Sequence, residues 1–521
     1  MSSEKQQLAE KLGMEVVADL STQTFPKELY KKIPYSFVRK NLILPIEERG
    51  DEVLAAAADP LNLNGVDELR FLLEREIRTV FSPEEEILKA MNECYNTKEG
   101  AASQFLAHMG NGNAKEKADD SIDTYDLLES KEEAPIIRLL NLILSEAIQQ
   151  GASDIHFEPF GNDLRVRYRI DGVLQARHSP PREYQAQLLT RIKVLAKLDI
   201  AEHRLPQDGR IKLKMGGREI DFRVSTIPVA YGERIVMRIL DKGNVLLGLD
   251  QIGMLPNILD DFRRLLSLSE GIILVTGPTG SGKTTTLYSA LGETDTEETN
   301  VMTIEDPVEY KLPGIAQIAV HPKIGLNFAT GLRHILRQDP DIVMIGEIRD
   351  AETAEIAIQA SLTGHLVLST LHTNDAPSAI ARLVDMGVEP YLLSSTVVGV
   401  LAQRLVRQVC PHCRERYRPT EEELAELHLT HEDLNGGVLY KGKGCSQCYG
   451  SGYKGRHGIY ELLTVDVALQ SQIAKHTDIT ELRKLAGLQG MVSLREHGGH
   501  LVKTGVTTVS EVLRVSRKHD E

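Results

Sequence analysis

The segment that most restricts the possible folds is "ILVTGPTGSGKTTTLYSA", residues 273–290. Small residues in such a loop let successive backbone N–H groups converge on phosphate oxygens, and the N-terminus of a following helix adds positive potential. An apolar, strand-like run precedes the loop and a helical pattern follows it, which is the context that this motif requires. The residues that fit G-x-x-x-x-G-K-[ST] are Gly277, Pro278, Thr279, Gly280, Ser281, Gly282, Lys283 and Thr284.

Two side chains of this loop have separate expected tasks. The ammonium group of Lys283 is expected to reach the β and γ phosphates of a nucleoside triphosphate, and the Thr284 hydroxyl is expected to bind Mg²⁺. The surrounding residues 244–401 alternate short apolar strands with helices, which indicates a mostly parallel sheet. We therefore predict a P-loop NTPase core.

Carboxylates follow two other strands of this predicted sheet. Glu347 comes directly after the apolar run of "DIVMIGEIRD" and is expected to organise Mg²⁺ or the attacking water. The run "NVMTIEDPVEY" delivers Glu305, Asp306 and Glu309 in the same way. For Glu347, the alternative is an ordinary surface carboxylate at a strand end.

Histidines and arginines add weaker candidates. The segment "GHLVLSTLHTN" places His365 and His372 at its two ends, and we favour His372 as the residue that faces the nucleotide. Arg333 and Arg337 are four residues apart and are predicted to share one helix face, from which they neutralise phosphate charge. The alternatives are a structural histidine and a salt-bridged helix surface.

Four of the five cysteines form two CxxC pairs, Cys410/Cys413 and Cys445/Cys448. Paired thiolates at this spacing indicate a tetrahedral zinc site without an open position, which is a structural role. A redox pair is the alternative, but two pairs in one chain favour zinc. Cys94 stands alone and is interpreted as a buried thiol in a helix.

Arginines recur on the alternating strands that the sequence predicts upstream of the core. The runs "LRVRYRIDG", "GRIKLKMGG", "REIDFRVST" and "RIVMRIL" indicate antiparallel strands with one apolar face. The opposite face is interpreted either as solvated or as a surface that meets an anion. The arginines on it are Arg165, Arg167, Arg169, Arg223 and Arg238.

A chain of 521 residues is too long for one core, and composition divides it into several units. The predicted fold is α/β and multidomain. The predicted units are a small α/β docking domain at 1–95, a flexible linker at 96–133, an α+β domain at 134–243, the ATPase core at 244–401, a tetracysteine zinc subdomain at 402–455 and a helical subdomain at 456–521.

The composition indicates which kinds of partner the protein is expected to bind. The net charge of −15, the absence of tryptophan and the 5% aromatic content disfavour nucleic acid as a main ligand. No apolar run is long enough to span a bilayer, and the first residues lack the apolar core of a signal peptide. We expect a cytoplasmic protein whose membrane role, if any, comes through a partner.

Several motifs in order resemble the secretion ATPases that power type II secretion and type IV pili. They are "ASDIHFEP", "RIDGV", "RLPQDGR", "DFRVST", "TIEDPVEY", "LRQDPDIVMIGEIRD", "QASLTGHLVLSTLHTNDA" and "LAQRLVRQVCPHC". The resemblance runs from about residue 134 to the C-terminus and more loosely through the N-terminal unit. Segments such as "LDIAEHRLPQDGRI" and "LLSSTVVGVLAQRLV" are most similar to the type II branch, with the pilus assembly ATPases as the alternative.

The resemblance implies a hexameric ATPase with ATP, Mg²⁺ and Zn²⁺ as cofactors. It implies a PAS-like domain followed by a RecA-like core, with Glu347 at the Walker B position, Glu305 and Asp306 in an "Asp box" and His372 in a "His box". Arg223 and Arg238 are implied to point toward phosphate from the PAS-like domain, and Arg333 and Arg337 to assist from the core.

The implied partners are the cytoplasmic domain of an inner-membrane secretion protein, bound through the N-terminal domain, and an inner-membrane platform protein. Hydrolysis is implied to drive pseudopilus assembly and protein export. Two other hypotheses remain at this point: a DNA-handling RecA-like hexamer, against which the net charge argues, and a nucleotide sensor without turnover, against which the intact Lys283, Thr284 and Glu347 argue.

Overall fold

The computed structural model describes residues 41–49, 52–94, 135–161, 163–215, 218–241, 247–475 and 478–516, with isolated residues before 41. The chain divides into two compact units, Met1–Gly243 and Asn244–Glu521. The predicted linker at 96–133 lies outside the described residues. Among the helices of the described ranges, none is both long enough and apolar enough to cross a bilayer.

The first unit begins with a three-stranded sheet in the order β1 (Ile43–Arg49), β2 (Glu52–Ala57) and β3 (Glu76–Phe81). The first two strands are antiparallel, and β2 and β3 are parallel with α1 (Leu63–Leu73) as the connection. Helix α2 (Glu84–Cys94) follows, and its last residue is half-buried. The alanine-rich β2 is buried because it is the central strand. This is the small α/β domain that the sequence predicts.

A six-stranded antiparallel sheet forms the rest of the first unit, in the order β6-β5-β4-β9-β8-β7. Alternate side chains of these strands pack against α3 (Pro135–Gln149) and α4 (Gln185–Leu195), whose apolar faces are buried. The result is an α+β arrangement, the fold class predicted for this part of the chain. The strands are β4 (Ala152–Phe160), β5 (Asp163–Ile170), β6 (Val173–His178), β7 (Gln207–Met215), β8 (Arg218–Val229) and β9 (Gly232–Asp241).

A seven-stranded sheet lies at the centre of the second unit, in the order β12-β11-β13-β14-β10-β15-β18. Neighbouring strands are parallel except for β18, which runs antiparallel to β15 at the edge. The strands are β10 (Gly271–Thr276), β11 (Val301–Glu305), β12 (Ala316–Ala319), β13 (Ile342–Ile345), β14 (Leu366–Leu371), β15 (Val397–Val409) and β18 (Tyr453–Thr464).

Helices cover both faces of this sheet, which explains why its central strands read as continuous apolar runs. Every residue of β10, β13 and β14 is buried. The carboxyl ends of these parallel strands lie at one edge, where the loops that follow them meet. The helices of this part are α5 (Pro256–Leu266), α6 (Lys283–Leu291), α7 (Phe328–Ile335), α8 (Ala351–Leu362), α9 (Pro377–Asp385) and α10 (Pro390–Thr396).

The segment with the cysteines is an insertion between two adjacent strands of the sheet. It leaves β15 at Val409, forms the hairpin β16 (Arg414–Tyr417) and β17 (Leu439–Gly442), and returns as β18. The boundaries expected at 401/402 and 455/456 therefore fall inside strands. The long β15, which is second from the edge of the sheet, is not predicted from the sequence, because residues 397–409 mix apolar and polar side chains without strict alternation.

Short helices complete the second unit, and a buried carboxylate fixes the last of them to β15. Glu511 accepts hydrogen bonds from the guanidinium groups of Arg407 (2.5 Å) and Arg514 (2.8 and 3.0 Å), and its residue is 2% exposed. These helices are α11 (Glu421–Ala425), α12 (Val467–Ala474), α13 (Ile479–Leu488), α14 (Leu494–Lys503) and α15 (Val509–Val515).

Glu511→Gln is expected to lower the stability of the second unit at neutral pH. Burial acts to raise the pKa of the Glu511 carboxyl, but Arg407 and Arg514 outweigh it and lower the pKa to about 2. Because the pKa of Glu511 is lower in the folded protein than the unfolded value near 4.5, ionised Glu511 stabilises the fold above that pH. This contribution disappears as the pH falls toward 2. Removing one partner of a buried ion pair costs about 3 kcal/mol.

Thermal unfolding measured between pH 2 and pH 7 checks this expectation. The variant should melt earlier at pH 7 and should lose part of the acid dependence that the unmodified chain shows. Glu481→Gln, which changes an exposed glutamate of α13, is the matched control. Equal melting of the Glu511 variant and the unmodified chain at pH 7 would contradict the assigned role.

Candidate nucleotide site and cysteine cluster

The loop after β10 packs against β15 so closely that two of its glycines have no room for a side chain. Gly277 has φ 147°, and a Cβ atom on it would lie 2.5 Å from the Gln403 carbonyl oxygen. Gly282 has φ 90°, and its Cβ atom would lie 2.9 Å from Gln403 Nε2. Both positions combine a left-handed backbone with a close neighbour, so glycine is required there. The loop ends at the first turn of α6.

Lys283 folds back over this loop. Its Nζ donates hydrogen bonds to the carbonyl oxygens of Gly277 (2.8 Å) and Pro278 (3.2 Å). The pKa of Lys283 is lowered to about 8, mainly by burial; Glu347 acts in the opposite direction, and Arg404 adds to the lowering. An ammonium group that loses hydration in this way gains most from a nearby anion. Thr284, in the first turn of α6, is exposed.

Glu347 lies just after β13, where the sequence predicts it. Its carboxylate accepts hydrogen bonds from Arg349 (2.5 Å) and contacts His372 Nε2 at 3.3 Å. Burial acts to raise the pKa of the Glu347 carboxyl, but Arg349 and His372 outweigh it, so the pKa lies below its usual range. Glu347 is therefore ionised near Lys283, and the structure brings His372 to the same place.

Glu305 occupies a different kind of environment at the end of β11. It is 3% exposed, and its carboxylate accepts hydrogen bonds from Tyr288, Thr303 (2.6 Å) and Gln317 (3.1 Å). Burial and the Glu305 carboxylate raise the pKa of Tyr288, which therefore remains a donor. This network connects α6 to the ends of β11 and β12.

The carboxylates that follow Glu305 in the chain are exposed. Asp306 and Glu309 lie in the loop after β11, and Asp306 is close enough to Arg349 to contribute to the raised pKa of that guanidinium. The loop backbone is tied to the same network, because Glu309 N–H donates to the Tyr288 hydroxyl at 3.4 Å.

His365 lies at the opposite end of β14 from His372. Its Nδ1 hydrogen-bonds the Ala360 carbonyl oxygen at 2.8 Å, so this histidine closes the C-terminal end of α8. The sequence-based preference for His372 over His365 at the Glu347 end agrees with this geometry.

The shared helix face predicted for Arg333 and Arg337 is wrong. Helix α7 ends at Ile335, and Arg337 lies in the following turn, where its N–H donates to the His334 carbonyl oxygen at 3.1 Å. Arg333 forms an exposed ion pair with Glu352 (2.7 Å). Exposed pairs of this kind contribute roughly 0–1 kcal/mol.

In the first unit, one row of the six-stranded sheet brings four arginines and one acid into register. Neighbouring Cα partners across the strands are Arg210, Arg223, Arg238, Asp154 and Arg169 in that order. The Arg238 side chain is 56% exposed and donates to Asp154 at 3.0 Å. Arg210 was missing from the sequence-based candidates, although its position in "QDGRIKLKM" alternates with buried residues and signals the same face.

The rest of this face is partly neutralised. Glu158 on β4 is 3% exposed and accepts hydrogen bonds from Arg167 (2.7 and 2.9 Å), and Arg234 pairs with the same carboxylate at 2.7 Å. Arg165 instead lies over the Phe160 ring at 4.5 Å. The arginine row through Arg223 is therefore the more cationic part of the face.

The four cysteines of the insertion come together. The sulfur atoms of Cys410, Cys413, Cys445 and Cys448 all lie within 4.8 Å of one another, and none of them is in a disulfide. Three of the distances are 3.7, 3.8 and 3.9 Å. A tetrahedron with metal–sulfur bonds of about 2.3 Å has edges of roughly 3.8 Å, so the cluster fits one metal ion.

Backbone N–H groups support negative charge on these sulfur atoms. Gly444 donates to Cys413 Sγ at 3.3 Å, and Cys445 and Gly452 donate to Cys448 Sγ at 3.2 and 3.3 Å. Burial acts to raise the pKa of the Cys448 thiol, but hydrogen bonds from Cys445 and Gly452 outweigh it and lower the pKa. Burial raises the pKa of the neighbouring Cys413 thiol, so the negative charge of the cluster is favoured at Cys448. Thiolates are the form that binds metal ions.

Comparison with known proteins decides the family. Residues 129–514 match the family described as type II/IV secretion system protein. The chain belongs to this family. Residues 12–101 match the MshEN domain, which agrees with a separate N-terminal domain. Membership confirms the predicted class of activity, a secretion-type ATPase, and the RecA-like P-loop core.

Relatives from both branches of the family align over most of the chain. The type II secretion system protein E of Pseudomonas aeruginosa is 48% identical over 491 residues, which cover 94% of this chain and 97% of that protein. The type IV pilus assembly ATPase PilB of Myxococcus xanthus is 44% identical over 489 residues, which cover 93% and 86%. The ATPase DotB of Legionella pneumophila shares the fold, with a TM-score of 0.54, 20% identity and coverage of 75% of this chain and 98% of that one.

Proposed function

We propose that this chain is the motor ATPase of a type II secretion system and couples ATP hydrolysis to pseudopilus assembly and protein export. The observation that carries the proposal is the meeting of Lys283, Glu347 and His372 at the carboxyl edge of the parallel sheet. A phosphate loop with such a cation, an ionised carboxylate and a metal ligand can position a triphosphate and a water molecule for hydrolysis.

In this proposal each residue of the loop has one task. The backbone N–H groups of residues 277–284 would bind the phosphates, Lys283 would exchange its loop carbonyls for the β and γ phosphates, and Thr284 would hold Mg²⁺. Glu347 orients the attacking water, and His372 keeps the Glu347 carboxylate in place. When bound, Mg²⁺ neutralises charge on the phosphate oxygens.

The remaining candidates contribute less directly. Glu305 fixes the end of β11 through its buried network, and the exposed Asp306 would be the carboxylate available to Mg²⁺. We keep Arg333 and Arg337 as candidates for charge neutralisation, supported only by their exposure beside the core. Arg223 and Arg238, with Arg210 in register, form a candidate anion-binding row in the PAS-like domain.

The cysteine cluster is proposed to hold a structural Zn²⁺. Four sulfur ligands at tetrahedral spacing leave no open position for catalysis. The domain at 1–95 is proposed to dock the cytoplasmic domain of an inner-membrane secretion protein, and the chain is proposed to act as a homohexamer at an inner-membrane platform protein. Its place would be the cytoplasm, peripheral to that membrane. The 96–133 segment is proposed as the linker.

The alternative is a type IV pilus assembly ATPase, which the similarity to the Myxococcus protein favours. Expression of the chain in two deletion strains separates the two functions: one strain lacks its type II secretion ATPase and the other lacks its pilus assembly ATPase. Restored export in the first strain supports the secretion assignment, and restored piliation in the second strain without restored export overturns it.

Lys283→Ala is expected to lower ATP affinity at least tenfold and to abolish measurable hydrolysis. The reason is the loss of the one ammonium group that burial has deprived of water and that faces the phosphates. Titration with a fluorescent ATP analogue and a phosphate-release assay on the full chain measure both effects. Lys323→Ala, at an exposed position remote from the loop in sequence, is the control. Unchanged affinity in the Lys283 variant would remove the nucleotide from this loop.

A further inference from the structure

Gln403 on β15 contacts the phosphate loop, although it belongs to neither the loop nor its helix. The contact is a hydrogen bond of 2.6 Å from its side-chain Nε2 to the Ser281 carbonyl oxygen. Gln403 also leaves no room for side chains in the loop, because its carbonyl oxygen and its Nε2 are the atoms that a Cβ on Gly277 and on Gly282 would strike. The residue is 1% exposed.

Strand register explains how one residue reaches so much of the loop. β10 and β15 are parallel neighbours, and Thr276, the last residue of β10, is aligned with Ala402. The chain leaves the sheet after Thr276 to form the loop, whereas β15 continues to Val409. The next residue of β15, Gln403, therefore lies directly beside the loop and forms its wall.

The hydrogen bond to Ser281 determines where a phosphate-binding group points. The peptide unit between Ser281 and Gly282 is planar and trans, so its C=O and its N–H point in opposite directions. Because Gln403 holds the C=O on the β15 side, the Gly282 N–H is directed away from β15. Accepting a hydrogen bond at the carbonyl also polarises the N–H of the same peptide and makes it a stronger donor.

Loss of the hydrogen bond from Gln403 would either destabilise the loop or change the direction of the Gly282 N–H. Without Gln403, the buried Ser281 carbonyl would lose its partner, and a buried acceptor without a hydrogen bond costs about 1–3 kcal/mol. Rotation of the peptide would relieve that cost and would turn the Gly282 N–H away from the phosphate position. The Ser281 hydroxyl, also buried, has no hydrogen-bond partner among the described residues, so it does not hold the loop in place.

We propose that Gln403 is a positioning residue that orients the Gly282 N–H toward the bound nucleotide and so sets nucleotide affinity. This inference rests on the proposed nucleotide site and adds a residue outside its motif. The contact concerns binding of the β-phosphate, which is present in the ground state and the transition state alike. Its loss therefore raises KM and leaves kcat nearly unchanged.

The test compares Gln403→Leu and Gln403→Glu with the unmodified full chain. The leucine variant removes the donor, and the glutamate variant keeps the shape but places an acceptor against the Ser281 carbonyl. Gln408→Leu, which changes a half-buried glutamine of the same strand, is the matched control. ATP and ADP affinities, KM, kcat and the melting midpoint without nucleotide are measured for each variant.

We expect KM for ATP and the Kd values for ATP and ADP to rise about tenfold in Gln403→Leu, and further in Gln403→Glu. Tenfold corresponds to about 1.4 kcal/mol. We expect kcat to remain within about twofold, as for loss of uniform binding, and the Gln408 variant to match the unmodified chain. Unchanged KM and Kd in both Gln403 variants overturn the proposal, as does a loss of kcat at constant KM.

Failure of this inference is distinguishable from failure of the proposed function. If the unmodified chain binds ATP and Lys283→Ala abolishes that binding, the site stands whatever the Gln403 variants do. If the unmodified chain shows no saturable binding, the proposed function fails first. Should a Gln403 variant unfold in the absence of nucleotide, Gln403→Asn, which keeps the amide but shortens its reach, replaces it, and unchanged affinity in that variant counts against the proposal.

Discussion

Glu347→Gln is expected to leave ATP binding nearly intact and to reduce kcat by about 100-fold or more. Glutamine has the same shape and preserves a carbonyl oxygen for Arg349 and His372, so the loop after β13 should keep its course. It lacks the negative charge that polarises an attacking water. A 100-fold loss corresponds to roughly 2.7 kcal/mol of transition-state stabilisation.

The measurement pairs equilibrium binding of an ATP analogue with steady-state hydrolysis on the full chain. Glu355→Gln, an exposed glutamate of α8, is the control for loss of one carboxylate nearby. A Glu347 variant that hydrolyses ATP at the rate of the unmodified chain would remove Glu347 from its proposed role. Loss of binding together with turnover would instead assign Glu347 to the nucleotide-binding loop.

Cys410→Ser is expected to release the metal ion and to unfold the insertion between β15 and β18. Structural Zn²⁺ contributes on the order of 10 kcal/mol to the folding of small zinc domains, and a serine hydroxyl is a poor substitute for a thiolate. The hairpin β16–β17 and the turn at Gly452 meet at this cluster, because Cys410 N–H donates to the Gly452 carbonyl oxygen at 2.9 Å. Local protection should therefore disappear.

Metal content by atomic absorption and amide hydrogen exchange over residues 410–453 measure the two effects. Cys94→Ser, which removes the cysteine outside the cluster, should keep the full metal content. ATP affinity should be unchanged in both variants, because Gln403 lies roughly 20 Å along β15 from Cys410. An undiminished zinc content in Cys410→Ser is the result that rejects Cys410 as a ligand.

Local sequence patterns were sufficient to predict those features that depend on a single element and its immediate neighbours in the chain. The loop of residues 277–284 needs only its own glycines and the strand and helix beside it. The apolar runs of β10, β13 and β14 are recognisable because both faces of a parallel sheet are covered. The CxxC spacing identifies two halves of one metal site, since each pair spans a single tight turn.

Other predictions depended on contacts that spacing cannot show. Arg333 and Arg337 are predicted on one helix face, but the helix ends at Ile335, two residues before Arg337. The position of Glu305 at a strand end is typical of a metal ligand. Its carboxylate instead accepts hydrogen bonds from Tyr288 and Gln317, which belong to other elements. β15 was overlooked because its pairing with β10 and β18 gives it its length.

By itself, the sequence determined the class of the core, the phosphate loop, the identity of the four sulfur ligands and the alternation of the arginine-bearing strands, because each is encoded in residues close together in the chain. Only the tertiary structure decided which groups meet across distance: His372 with Glu347, Arg210 with Arg223, and Gln403 with Ser281. These contacts follow from strand order and register. Order and register are settled by burial over the whole sheet, so no local stretch of sequence contains them.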